Sequence, residues 1–152
     1  MIDGVVIKEL KTYPDERGFF REIIRATDDF FAEGFAQWSQ SKMFRDVIKA
    51  WHIHQQQVDW WYVPMGCIKT VLHDLRPESP TYRQTQEILM GEDFGEKVVK
   101  IPPGVAHGCR VLSGEAYLFY ITSKTYNPQD EGRIPHDDPA IGYDWLKRVA
   151  IT

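Results

Sequence analysis

The segment Lys49–Trp61, KAWHIHQQQVDWW, carries His52 and His54 two residues apart, with Asp59 five residues beyond the second. Downstream, the turn Pro102-Pro103-Gly104 leads to a third histidine, His107. Near neutral pH an imidazole can move protons, because its pKa lies at about 6.5, or it can bind a metal as the neutral ring. Two chemistries therefore fit. Histidines at i and i+2 of one strand share a face, so His52 and His54, with His107 and Asp59 from neighbouring strands, would form a three-histidine, one-carboxylate metal shell. Alternatively, one histidine is a proton-transfer base and the other stands beside it. A third reading places the pair on a solvated face, where polar residues belong; Ala50, Ile48 and Asp46 share their parity, a mixture that selects neither face.

Either chemistry needs strands that bring distant residues to one point. Short alternating or apolar runs follow one another with Gly, Pro, Asn and Asp between them. GVVIKELKTY (4–13) reads as a strand, Pro14–Gly18 as a turn, and DERGFFREIIR (15–25) as that turn followed by a second strand. Thr27–Gly34 predicts one or two helical turns, with Thr27 or Asp28 as N-cap and Gly34 as stop. FAQWSQSKM, DVIKAWHIH, DWWYVPM, CIKTVLHDLR, TYRQTQEILM, EKVVKIP, GCRVLS and EAYLFYITSKTY all predict strands, and the tail DPAIGYDWLKRVAIT a short closing helix. Strand spacings of about 8–12 residues indicate an all-β, antiparallel jelly-roll barrel with short helical segments, in a single domain over 1–152.

Bulk properties exclude several classes. A net charge of −4 gives no reason to expect nucleic-acid binding. No apolar run approaches the roughly 18 residues of a membrane span, and MIDGVVIKELKTYPD has no signal-peptide core. Cys67 and Cys109 are far apart and outside any metal spacing, so they read as buried thiols of a cytoplasmic protein. Aromatic residues make up 13% of the chain, including five Trp, which suits a packed sheet core and also an aromatic-lined cavity for a flat ligand.

The His52-x-His54, Asp59 and His107 pattern resembles the two motifs of metal-binding cupins, with Asp where that family usually has Glu. A second resemblance covers nearly the whole chain. DERGFFRE (15–22), VIKAWH (47–52), HDLRPESPTY (73–82), IPPGVAHGCRVLS (101–113), EAYLFYITSKTYNPQDEG (115–132) and HDDPAIGYDW (136–145) occur in this order. Together they resemble the dTDP-4-dehydrorhamnose 3,5-epimerase family, itself a cupin-type jelly roll. That resemblance implies a homodimer working on a nucleotide sugar with no metal or other cofactor.

The epimerase resemblance implies a proton taken from carbon beside a ketone and returned on the opposite face. Lys49-Ala50-Trp51-His52 stands where the family has Arg-Gly-Leu-His, so His52 inherits the general-base role and Lys49 keeps the positive charge. Tyr120 matches the acid; a phenol with a pKa of about 10 can donate at neutral pH. Arg17, Glu22, Gln37, His107 and Tyr126 match substrate-site positions. Three departures stand out. Asp59 aligns with a lysine that stabilises the enolate, a task for which Lys69, Arg110 or His54 are the substitutes at hand. Ser39 replaces an asparagine. The family's stretch after DPAIGxxW, with its carboxylate partner for the catalytic histidine, has no counterpart in these residues, leaving Asp144, Asp59 or Asp74 to orient His52. These departures favour an epimerase of one centre, or of another nucleotide sugar. A metal-dependent cupin isomerase or oxygenase and a non-catalytic sugar-binding cupin are the alternatives.

Overall fold

The computed structural model describes residues 1–147. Twelve strands follow in chain order: β1 (Val6–Glu9), β2 (Thr12–Asp15), β3 (Gly18–Arg21), β4 (Gln37–Phe44), β5 (Ile48–His54), β6 (Asp59–Met65), β7 (Cys67–Asp74), β8 (Thr85–Gly91), β9 (Lys97–Ile101), β10 (Val105–Val111), β11 (Glu115–Thr122) and β12 (Glu131–Arg133). They form two five-stranded sheets, β1-β9-β6-β11-β4 and β12-β5-β10-β7-β8, and the separate hairpin β2-β3. Every pairing is antiparallel. Two such sheets face to face make the jelly roll expected of closely spaced short strands.

Between the sheets lies a core of alternating inward residues, among them Met43, Val63, Leu72, Met90, Val99 and Leu118. Each sheet is also covered outside. Ile23, Ile24 and Phe31 pack on Trp60 and Tyr62 of the first sheet, while Ile134, Ile141, Tyr143 and Trp145 cover Trp51 and Val71 of the second. Double coverage explains why CIKTVLHD of β7 is buried at all eight positions, including Lys69. The Lys69 ammonium donates to the Lys147 carbonyl at 3.2 Å and lies over the Tyr143 ring.

Several boundaries differ from the sequence reading for local reasons. GVVIKELKTY breaks at Leu10-Lys11 because β1 joins a large sheet while β2 folds onto β3. The 27–34 segment makes a single 3-10 turn at Asp29–Phe31; Asp28 pairs with Lys8 at 2.6 Å rather than capping it with its side chain. The sequence-predicted strand at 108–113 begins earlier, at Val105, so His107 sits inside β10 and not on a loop. Residues 138–147 form turns instead of a helix, and 148–152 lie outside the described residues.

The most consequential irregularity is in β5. His52 pairs with His107, but Lys49 pairs with Cys109, so three steps of β5 oppose two of β10. Such a bulge reverses the alternation of side chains. Ile48 and Ala50 therefore pack outside with Trp51 and Ile53, whereas Lys49, His52 and His54 all face inward. The parity that grouped His52 with Ala50 and Ile48 does not hold across the bulge. Gly108 makes room for it: a Cβ there would lie 2.5 Å from Ala50 Cβ and 2.7 Å from Lys49 O.

Candidate active site

A cavity of about 220 Å³ opens between the two sheets. From the second sheet and its connections come Lys49, His52, His54 and His107; from the first come Gln37, Asp59, Trp61 and Tyr120. Tyr126, on the segment leading into β12, and Glu131, the first residue of β12, also line it. Eight residues anticipated from sequence thus converge: Gln37, Lys49, His52, His54, Asp59, His107, Tyr120 and Tyr126.

Arg17 and Glu22 do not. Arg17 lies on the exposed β2-β3 hairpin, 81% exposed and paired with Asp15 at 2.6 Å, and Glu22 pairs with Arg25. Lys69 and Arg110 do not line the cavity either; Arg110 bonds Asp46 at 2.8 Å and the Trp145 carbonyl at 3.1 Å. Of the substitutes for the missing lysine, only His54 reaches the site.

None of the three carboxylates anticipated beside His52 pairs with it. Asp144 caps Leu146 N–H on the outside, and Asp74 is absorbed in a network with Arg76, Ser79 and Thr81. Asp59 faces His107 instead, Oδ2 to Nε2 3.7 Å. Glu131 stands behind His52, its Oε1 3.5 Å from His52 Nδ1, and it is itself held by Arg133 at 3.0 Å. The preceding residue serves the other histidine: Asp130 Oδ2 lies 3.9 Å from His54 Nδ1. Asp130 also accepts the backbone N–H groups of Gln55, Gln56 and Gln57, at 2.9, 3.0 and 3.2 Å. Adjacent acids after Tyr126-Asn127-Pro128 were the available signal. A three-residue strand leaves no periodicity to connect them with β5.

Burial, with help from Arg133 and against Glu131, holds the His52 imidazole below its usual pKa, so the neutral, proton-accepting form prevails at pH 7. His107 is lowered to about 4, chiefly by burial against the pull of Asp59. Burial acts to raise Glu131, but its hydrogen bond and charge contact with Arg133 outweigh that and keep it below the ordinary carboxyl range. Cys109 lines the same cavity, yet burial pushes its thiol up to about 12 and removes it as a nucleophile.

Asp59 accepts Gln57 Nε2 at 2.7 Å and the Trp61 indole N–H at 3.3 Å. His54, Asp59 and His107 each offer a donor atom within 4.8 Å of the others. His52 is outside that group, so the four-ligand metal set contracts to three.

A cupin-type jelly roll with histidine and tyrosine on opposite walls of one cavity is the class that fold and site define. The model of the dTDP-4-dehydrorhamnose 3,5-epimerase family matches residues 1–152, and the chain belongs to that family. The spore coat polysaccharide biosynthesis protein SpsL of Bacillus subtilis strain 168 is 48% identical over 149 residues, spanning 95% of this chain and 97% of SpsL. The dTDP-4-dehydrorhamnose 3,5-epimerase of Methanothermobacter thermautotrophicus is 33% identical over 151 residues, spanning 95% and 80%. Among solved structures, a dTDP sugar isomerase of Desulfovibrio desulfuricans G20 superposes with a TM-score of 0.91 at 27% identity, covering 97% of this chain and 94% of that one. The Legionella pneumophila epimerase in complex with dTDP-4-keto-L-rhamnose gives 0.83 at 33% identity, covering 95% and 80%.

Proposed function

We propose that the protein is a nucleotide-sugar epimerase. It acts on the carbon next to the keto group of a dTDP-4-keto-6-deoxyhexose or a similar nucleotide sugar. His52 removes the proton, giving an enolate, and Tyr120 donates a proton from the opposite face. One observation carries this reading: His52 on β5 and Tyr120 on β11 come from different sheets and line the same cavity. Two opposed groups, one accepting and one donating, are what inversion at a carbon requires. Glu131 faces Nδ1 of His52, leaving Nε2 for the proton transfer. Gln37, which accepts the Tyr126 backbone N–H at 2.9 Å, together with the exposed Tyr126 ring and Lys49, provides the polar and aromatic surface for sugar and nucleotide.

Arg17 and Glu22 serve the same substrate from a second protomer of a homodimer. Their hairpin holds them away from their own cavity and exposes Phe19 and Phe20 at 64% and 62%, an apolar surface suited to burial against another chain. The two buried free thiols agree with a cytoplasmic location. Among the described residues no helix is long and apolar enough to cross a membrane.

Incubation with dTDP-4-keto-6-deoxyhexoses in D2O tests the reading. Deuterium at C3, C5 or both is expected, abolished by His52→Ala and reduced by Tyr120→Phe. No incorporation across several nucleotide sugars would sink it in favour of a sugar-binding module without chemistry.

A further inference from the structure

The proposed chemistry creates negative charge on the former keto oxygen, and catalysis depends on stabilising it. The cavity is poorly furnished for that task. Lys49 is its one ammonium or guanidinium among the described lining residues, and it is engaged by Ser41 Oγ at 2.7 Å. Asp59 and Glu131 add two acids to the same cavity. Asp59 is 4% exposed, and no described Lys or Arg lies within 4.0 Å of it; its nearest basic group is His107. A buried acid without a cation is costly unless something supplies the charge.

We propose that His54, Asp59 and His107 bind a divalent metal ion at the base of the cavity, and that this ion provides the positive charge for the enolate oxygen. The inference rests on the epimerase reading for its catalytic half and on geometry alone for the site. The three side chains come from the end of β5, the start of β6 and the middle of β10, and their donor atoms lie within 4.8 Å of one another.

Both histidines have an oxygen behind the ring, hydrogen-bonded for His107 and at longer range for His54. His107 Nδ1 is 3.0 Å from the Val105 carbonyl, which can only accept, so Nδ1 carries the proton and Nε2 presents its lone pair toward Asp59. His54 Nδ1 is buried with no hydrogen-bond partner among the described residues and faces Asp130 across 3.9 Å, while Nε2 points to the Gln57 amide at 3.3 Å. An oxygen behind the distal ring nitrogen is the arrangement that orients metal-binding imidazoles. Asp130 is itself immobilised by its three backbone bonds. Two imidazoles and one carboxylate suit a transition ion such as Zn2+, Mn2+ or Fe2+, and they leave coordination positions open for substrate oxygen. Gln57 bridges Asp59 and His54 through its amide nitrogen, so an ion entering between them must displace that group or receive its oxygen.

Tag-free protein is stripped with chelator and titrated calorimetrically with Zn2+, Mn2+ and Co2+; the visible absorption of Co2+ reports its ligand set. One equivalent is expected to bind, weakened at least about tenfold by Asp59→Asn or His107→Ala. His52→Ala should keep it, because His52 is outside the ligand set. Circular dichroism melts establish that each variant is folded, and a metal-dependent rise in Tm should disappear with the site. Failure to bind any of the three ions stoichiometrically overturns the inference, as does binding unchanged in both Asp59→Asn and His107→Ala. Deuterium exchange separates the two readings. Exchange lost on stripping and restored by metal supports the ion's role, and full exchange by verified metal-free protein overturns it. Stoichiometric metal without exchange on any sugar overturns the epimerase reading and leaves the metal site standing.

Discussion

Two buried aspartates in this molecule have opposite relations to their surroundings. Asp74, at the end of β7, is 0% exposed and saturated: it accepts Arg76 through Nε and Nη2 at 2.9 and 2.7 Å, Ser79 and Thr81 hydroxyls at 2.6 Å each, and the Arg76 N–H at 3.0 Å. Asp59, at the start of β6, has two neutral donors and a histidine 3.7 Å away. A carboxylate with every lone pair occupied fixes a loop, here the 74–81 corner. One with remaining capacity, facing a cavity, is placed to interact with something that arrives. Burial alone does not distinguish a structural acid from a functional one; the state of its hydrogen bonds does.

The largest effect that sharpens this contrast is at the functional end. His52→Ala is expected to lower the deuterium-exchange rate by about 100- to 10,000-fold, the usual worth of a positioned acid or base, while leaving the urea midpoint close to wild type. At the structural end, Asp74→Ala should cost about 3 kcal/mol, because it leaves the Arg76 guanidinium and two hydroxyls without their acceptor. Asp59→Asn, by comparison, should shift the urea midpoint little. Equal losses of stability in the two variants would break the distinction.

The same acid predicts a pH dependence. Although burial opposes it, hydrogen bonding from Arg76, Ser79 and Thr81 holds the Asp74 carboxyl far below its ordinary range. A depressed folded pKa means that the stabilisation is complete above the unfolded value of about 3.9 and is lost as pH falls toward the folded one. Wild-type stability should therefore fall below about pH 4, and Asp74→Asn should be weaker at neutral pH with a flatter acid limb. Chemical denaturation at a series of pH values measures both.

Smaller effects test the supports of His52. Glu131→Gln should reduce kcat by up to about 100-fold through misplacement of His52, with KM changed far less. An effect confined to KM would make Glu131 a substrate contact instead. Gly108→Ala should cost about 1–3 kcal/mol as the new methyl meets Ala50 and Lys49 O, and should lower exchange activity because Lys49 and His52 flank the bulge that it crowds. Unchanged stability and activity would show that the β5 bulge tolerates what the geometry forbids.

Much of this site was legible in residue types and order. Alternating apolar runs separated by turn residues specify a β-rich chain, since a pleated strand presents successive side chains to opposite faces. The histidines, Asp59 and Tyr120 could be singled out because few side chains do proton or metal chemistry. The partner of His52 could not be found this way. Asp144, Asp74 and Glu131 are equivalent as letters, and only the pairing of β12 with β5 selects Glu131. The inward direction of Lys49 was also hidden, because strict alternation opposes it to His52 and a single inserted residue reverses that.

By itself, then, the sequence determined the class of fold, the chemically competent residues and the family, all of which depend on local patterning and ordered motifs. Tertiary structure decided which acid faces which histidine, that His52 stands apart from the His54, Asp59 and His107 cluster, and that Lys69 and Arg110 miss the cavity. Those outcomes depend on register, on a bulge and on which face of a sheet is covered, and such long-range pairings leave no local trace in the chain.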